Sequence, residues 1–453
     1  MQENILKKII NYKLTWLKKK KKQQPLNVIK KDITHSKRNF YQSLKITRPF
    51  FILEAKQSSP SRGIINYKFN IQKIAQNYQT HAAVMSILTD EKYFNGKFEF
   101  LTEAHNIINI PILCKDFFID PYQIYLARYY QADAILLMLS VLNNEEYSIL
   151  ANIAHSLNMG ILTEINNINE LNRAIQLNAK VIGINNRNLK DLSIDINRTY
   201  QLAPLIPKNK IIISESGIKN NFEIKKLSKI VDGFLIGSSI MKEKKINIFI
   251  NKLIFGNNKI CGLTKLEDAK LSEKLGAVYG GLIFVKNSPR YVELNLAKYI
   301  VENSKLEYVG VFQNEQIKNI VSITKKIPLF AIQLHGKEDQ KYIFNLKKNI
   351  SQNIQIWKAI NVFQKNIKLN LKYINYYIFD NPQGGSGKCF DWKILKKYNL
   401  KNIFLSGGLS LNNCLDAMQL NCFGLDFNSK IEKTPGIKDH NKLKLLFQQL
   451  RLN

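Results

Sequence analysis

Glu54 and Lys56 stand two residues apart at the end of an apolar run, Phe51-Ile-Leu-Glu-Ala-Lys56, and Pro60-Ser-Arg-Gly63 turns the chain directly afterwards. Residues i and i+2 of a strand share a face, so a carboxylate and an ammonium would leave this strand side by side at the mouth of a pocket. Lys115, Glu164, Asn185 and Glu215 also end short apolar runs, and Arg187 follows one. A lone Lys115 would be an ordinary charge at a helix start. Opposite charges gathered in one pocket must pair, however, and burial with pairing moves their pKa values, which is the equipment of acid–base chemistry. In the second half of the chain Cys261 ends a run just before Gly262. Most free cysteines are small buried hydrophobes, but one at a strand exit facing a pocket is a candidate base once ionised.

The apolar runs are the elements that must position these groups. They end at Lys56, Thr89, Lys115, Met138, Glu164, Asn185, Glu215 and Gly237, and helix-length segments separate them. Near-continuous apolar strands alternating with helices are parallel strands covered on both sides, and eight such units close a (β/α)8 barrel. The pattern then restarts at Lys259-Ile-Cys261 and runs through a second set of eight, ending at Gly424-Leu-Asp-Phe427. We therefore expect an α/β chain of two consecutive TIM barrels. The first spans residues 1–255 and includes N-terminal helices over 1–47; the second spans 256–453. In the N-terminal stretch Ile5, Ile9, Ile10, Leu14 and Leu17 have the spacing of one apolar helix face. Small residues follow the seventh and eighth strands of both sets: Gly217 lies twenty residues before Gly237, and Gly408 twenty before Asn428. Such loops expose backbone N–H groups that cradle a phosphate.

The composition bounds the alternatives. A chain of 453 residues is long enough for two cores. The apolar runs fall far short of the roughly 20 residues that span a bilayer, and the first residues lack the features of a secretory signal. Five scattered cysteines without C-x-x-C spacing indicate neither a disulfide framework nor a zinc site, and fit a reducing cytoplasm. The net charge of +32 makes a nucleic-acid-binding or scaffolding protein the alternative reading. Yet +12 of it falls in the first fifty residues, including the run Lys18 to Lys22, and the remainder is spread without a recognisable nucleic-acid module. Lysines on solvated faces are the simpler account.

Taken together, Phe51-Ile-Leu-Glu-Ala-Lys-Gln-Ser-Ser-Pro-Ser-Arg-Gly63, Ile112-Leu-Cys-Lys-Asp-Phe117, Ile184-Asn-Asn-Arg-Asn-Leu189, Ser214-Glu-Ser-Gly-Ile218 and Ile236-Gly-Ser-Ser239 resemble the indole-3-glycerol-phosphate synthase family. Lys259-Ile-Cys-Gly-Leu-Thr264, Ser288-Pro-Arg290, Gln333-Leu-His-Gly336, Asp380-Asn-Pro-Gln-Gly-Gly-Ser-Gly387, Leu405-Ser-Gly-Gly-Leu409 and Asp426-Phe-Asn-Ser429 look like phosphoribosylanthranilate isomerase. In this order the match is to the fused bifunctional enzymes of bacterial tryptophan biosynthesis. The resemblance implies that the second barrel carries out the Amadori rearrangement of N-(5'-phosphoribosyl)anthranilate. The first would then close and decarboxylate that product to indole-3-glycerol phosphate.

By the same resemblance Lys115 protonates the substrate ketone with Glu54 close by, and Glu164 and Lys56 are the candidates for removing the hydroxyl, although the family pattern leaves open which lysine serves which step. Asn185, Arg187 and Glu215 hold the anthranilate carboxylate and ribulose hydroxyls, while Ser59, Gly217, Gly237 and Ser238 hold the phosphate. In the second barrel Asp380 is the implied acid and Cys261 the base, needing a lowered pKa. Arg290 would pair a carboxylate, His335 and Asp426 would contact substrate, and Gly407, Gly408, Asn428 and Ser429 would take the phosphate. Gly384 to Gly387 resembles a mobile loop. No metal or organic cofactor is expected. Partners are phosphorylated anthranilate derivatives, not nucleic acid or membrane, and two barrels supply enough core for a monomer.

Overall fold

A computed structural model describes residues 5–188, 190–362, 369–381 and 389–451. The glycine-rich segment 384–387 lies outside the described residues. The chain divides into two compact units, 1–250 and 251–453.

The first unit closes eight parallel strands in sequence order: β1 Phe50–Ala55, β2 Val84–Leu88, β3 Ile112–Lys115, β4 Ala134–Met138, β5 Gly160–Ile165, β6 Val181–Asn185, β7 Ile211–Glu215 and β8 Gly233–Ile236. Closure comes from β1 and β8, with Phe50 in register with Gly233 and Leu53 with Ile236. β1, β2, β4, β5, β6 and β8 are buried at every position, which is why they read as unbroken apolar runs. Buried Phe50, Ile52, Leu113, Leu136 and Leu162 belong to one apolar cluster, so the barrel is packed rather than hollow. Because all strands run parallel, their polar last residues emerge at one end.

The second unit repeats the design with β9 Asn257–Ile260, β10 Tyr279–Ile283, β11 Glu307–Phe312, β12 Ala331–Leu334, β13 Gln355–Asn361, β14 Tyr376–Asp380, β15 Ile403–Leu405 and β16 Gly424–Phe427. Closure pairs Lys259 with Asp426 and Ile260 with Phe427. Aromatic rings fill one layer: Trp357 stacks on Phe404 at 4.6 Å and meets Tyr279 edge-on at 5.1 Å.

The N-terminal helix α1, Ile5–Gln23, departs from the expected face. Its buried residues are Ile9, Lys13, Trp16 and Leu17, whereas Leu14 is 51% exposed. Lys13 takes the inward position because its ammonium has carboxylates to meet, Asp90 Oδ2 at 2.8 Å and Asp116 Oδ1 at 2.7 Å. Burial alone would discharge this lysine, but the charges of Asp116 and Asp90 hold its pKa above the ordinary value. Both acids follow strands, β2 and β3, so the helix is fastened at the end where the strand-end charges emerge.

Candidate active sites

At that end of the first barrel lies a cavity of about 380 Å³. Lys115, the last residue of β3, places Nζ 3.1 Å from Glu54 Oε2 on β1 and 3.1 Å from Glu215 Oε2 on β7. Lys56 donates to the other oxygen of Glu54. Burial alone would raise the Glu54 carboxyl, but the ammoniums of Lys115 and Lys56 outweigh it and bring its pKa down to about 2. Burial opposes the charge of Lys115 as well, yet Glu54, Glu215 and Glu164 hold its pKa above the ordinary value. Lys56 goes the other way, since burial dominates and lowers it.

Glu164, at the end of β5, is pushed up to about 8 by burial and then by the charge of Glu215, with Lys115 acting against both. One of its oxygens, Oε1, is buried without a hydrogen-bond partner in the protein. The site therefore holds two ammoniums, an ionised carboxylate and a carboxyl that still carries its proton at neutral pH. That is a proton donor and a charge stabiliser within one cavity.

Two glycines keep room for these carboxylates. A Cβ on Gly183 would come within 2.0 Å of Glu215 Oε1, and one on Gly237 within 2.1 Å of Glu54 Oε1. Glu54, Lys56, Lys115, Glu164, Asn185, Arg187, Gly217, Gly237 and Ser238 all line the cavity. Two of the expected residues do not. Glu215 is fully buried beneath Lys115, because its pairing partner stands between it and the opening. Ser59 lies in a short ribbon over Ser58–Ser59 and Gly63–Ile64, where its hydroxyl meets Ser61 at 3.5 Å. Sequence reasoning missed Arg62, Lys219 and Lys242, which bring further positive charge to the rim. Lys219 stands two residues beyond Gly217, and a cation beside a glycine loop is the signal that was there to read.

The corresponding cavity of the second barrel measures about 390 Å³. Cys261 and Asp380 both line it, with Arg290, His335, Asp426, Gly407, Gly408, Asn428 and Ser429. Asp380, ending β14, is raised by burial, against the N–H of Asn381, which donates to Oδ1 at 2.7 Å. His335 Nε2 lies 3.7 Å from Asp380 Oδ2, and burial followed by the charge of Lys259 lowers its pKa to about 4, so the ring is neutral.

Two expectations take a different form here. Burial pushes the Cys261 thiol up and Lys259 pulls it down without prevailing, so Cys261 is held as a thiol rather than a thiolate. Arg290 already gives one edge of its fork to Glu432, with Nε 3.0 Å and Nη2 2.8 Å from Oε2, which leaves Nη1 for a ligand. Sequence reasoning also missed Lys259, whose ammonium lies 2.8 Å from Asp426 Oδ2.

Residues 6–253 match the family model "Indole-3-glycerol phosphate synthase", and residues 258–449 match "N-(5'phosphoribosyl)anthranilate (PRA) isomerase". "Tryptophan biosynthesis protein TrpCF" of Buchnera aphidicola subsp. Schizaphis graminum is 57% identical over 99% of this chain and 100% of its own length. The protein of that name from Salmonella typhi is 49% identical over 99% of both chains. The chain belongs to this bifunctional family. It is an enzyme of tryptophan biosynthesis with an indole-3-glycerol-phosphate synthase barrel followed by a phosphoribosylanthranilate isomerase barrel. The alternative of a scaffold that kept the barrels without the chemistry finds no support in these matches. Among the described residues no helix is long and apolar enough to cross a membrane.

Proposed function

We propose that each activity rests on the strand-end groups described above. In the synthase barrel Lys115 donates a proton to the ketone oxygen while the aromatic carbon attacks, and Glu54 and Glu215 hold that ammonium in place. Carbon dioxide then leaves from the attacked carbon. Glu164 gives its proton to the departing hydroxyl, and Lys56, whose ammonium burial makes easier to empty, takes a proton from the methylene beside the nitrogen. Water is lost and the indole becomes aromatic. Asn185 and Arg187 orient the substrate, while Gly217, Gly237 and Ser238 with Lys219 receive the phosphate.

In the isomerase barrel Asp380, raised by burial, protonates the ribose ring oxygen and opens the ring. Ionised Cys261 takes the C2' proton, Arg290 receives the carboxylate, and His335 and Asp426 contact the sugar. Gly407, Gly408, Asn428 and Ser429 cradle the phosphate. We take the domains as 1–255 and 256–453 and the protein as a cytoplasmic monomer that needs no metal or organic cofactor.

The observation that carries this reading is the pairing of Lys115 with Glu54 and Glu215 beside a protonated Glu164. The test supplies the full chain with phosphoribosylanthranilate and, in a separate assay, with its Amadori product 1-(2-carboxyphenylamino)-1-deoxyribulose 5-phosphate, and follows the disappearance of the first and the conversion of the second to indole-3-glycerol phosphate. Cys261→Ala should slow only the first step and Lys115→Ala only the second, each by about 10²–10⁴-fold. Loss of both activities in either variant would sink the assignment.

A further inference from the structure

Lys259 has no part in the roles above, and its position calls for one. It is fully buried inside the second barrel, where apolar side chains ordinarily fill the layers. An ammonium there is costly unless it is paired, and apolar residues of similar volume often serve stability as well or better. Lys259 sits two residues before Cys261 at the end of β9, so both side chains enter the barrel from the same face. Its ammonium donates to Asp426 Oδ2 at 2.8 Å, and its charge acts on the Cys261 sulfur from the same side of the barrel. The other oxygen of Asp426 is buried without a hydrogen-bond partner.

The surroundings leave that sulfur room and one cation close by. A Cβ on Gly281 of the neighbouring strand would come within 2.6 Å of Cys261 Sγ, so the glycine leaves the thiol its space. The other groups facing this pair are His335 on the β12 side, Asp380 on β14 and Lys438 near the C-terminus. His335 is neutral, and Lys438 is already engaged by Glu432 at 2.8 Å and Asn428 at 3.0 Å. Lys259 is thus the cation placed to answer a negative sulfur.

We propose that Lys259 is a positioning residue for the isomerisation, holding ionised Cys261 by sharing its ammonium between the sulfur and Asp426. The thiol first releases its proton to solvent. The thiolate then forms an S–H bond with the C2' hydrogen, the C–H electron pair becomes the new C1'–C2' double bond, and the π pair of the iminium C1'–N bond returns to nitrogen, which becomes neutral. The step needs no external oxidant or reductant, because any change in oxidation level passes between C1' and C2' of the same molecule, and the ammonium stays a cation throughout.

The proposal rests on Cys261 as the base, and the experiment separates the two ideas. Full-length protein carrying Lys259→Met, Lys259→Arg or Asp426→Asn is alkylated with iodoacetamide across a pH series, and modification of the Cys261 peptide is followed by mass spectrometry. Isomerase and synthase rates are measured on the same samples. Lys259→Met should move the alkylation midpoint upward by about one unit or more. It should also slow isomerisation by roughly 10–100-fold at neutral pH, with part of the loss recovered at high pH. Lys259→Arg should restore much of the midpoint. Asp426→Asn, which frees the ammonium for sulfur, should move the midpoint downward, and this arm still decides the matter if Lys259→Met does not fold. Synthase rates should stay within about twofold. An unchanged midpoint in both Lys259→Met and Asp426→Asn would overturn the proposal and leave Lys259 a packing residue. Full isomerase activity in Cys261→Ala would instead overturn the reading of Cys261 itself.

Discussion

At the scale of single residues, Glu164 ties activity to pH in a direction that can be checked. Its carboxyl titrates at about 8 in the folded chain against 4.5 as its ordinary value, chiefly because it is buried. Between those values the folded protein holds a proton that the unfolded chain has released, so the stability contributed by this group falls as pH rises through the window. Glu54 has the opposite sign: with a folded value of about 2, its contribution is present above 4.5 and is lost as pH falls toward 2. Glu164→Gln should therefore raise the thermal midpoint at pH 9 by a few degrees, read by calorimetry, while synthase kcat drops by about 10²–10⁴-fold and isomerase kcat is unchanged. A lower midpoint at pH 9 would show that the ionised carboxyl is a stabilising group. Residues such as Lys115 and Glu164 were legible in the sequence because a charge that ends a buried strand must either reach water or meet an opposite charge, and a strand end offers both. The depth of Glu215 was not, since it is set by which neighbour stands above it. Lys259 was hidden by its place within a run, although its offset of two from Cys261 was visible.

At the scale of elements, strands were read almost residue by residue and α1 was not. A strand buried on both faces announces itself as a continuous apolar run, whereas the inward face of α1 is interrupted by Lys13. Periodicity favoured Leu14, which is largely exposed, because one charged residue on a buried face erases the pattern that hydrophobicity alone can show. The ion pairs with Asp90 and Asp116 carry a measurable weight. Lys13→Met would leave two carboxylates uncompensated, and breaking a buried pair from one side costs about 3–5 kcal/mol. Trp16, on the same helix and stacked on Phe98 at 5.9 Å, reports the docking through its fluorescence. Urea melts of Lys13→Met should lose that signal at markedly lower denaturant, and adding Asp90→Asn should recover part of the loss. If the single variant melts with wild type, the helix is held by apolar contacts alone.

At the scale of the whole molecule, two repeats of eight strands were legible, with a last helix of the first repeat running up to Gly256. The second compact unit begins at Asn251, inside the helix Ile246–Phe255 and five residues before the domain start we take at Gly256. The reason lies in its last residues: Asn251 donates to the carbonyl of Ala277, Lys252 pairs with Glu307 at 3.2 Å, and Phe255 meets Phe447 edge-on at 5.5 Å. A fragment 251–453 should accordingly melt at a higher urea concentration than 256–453, and equal midpoints would count those contacts as negligible. Lys13 has one more bearing on the chain as a whole. Its partners lie 77 and 103 positions downstream, so at a synthesis rate of about 5–20 residues per second the second carboxylate leaves the ribosome roughly 5–20 s after the helix does. Until then helix α1 lacks its full set of carboxylate partners. That interval is the time in which a chaperone can act on the undocked helix.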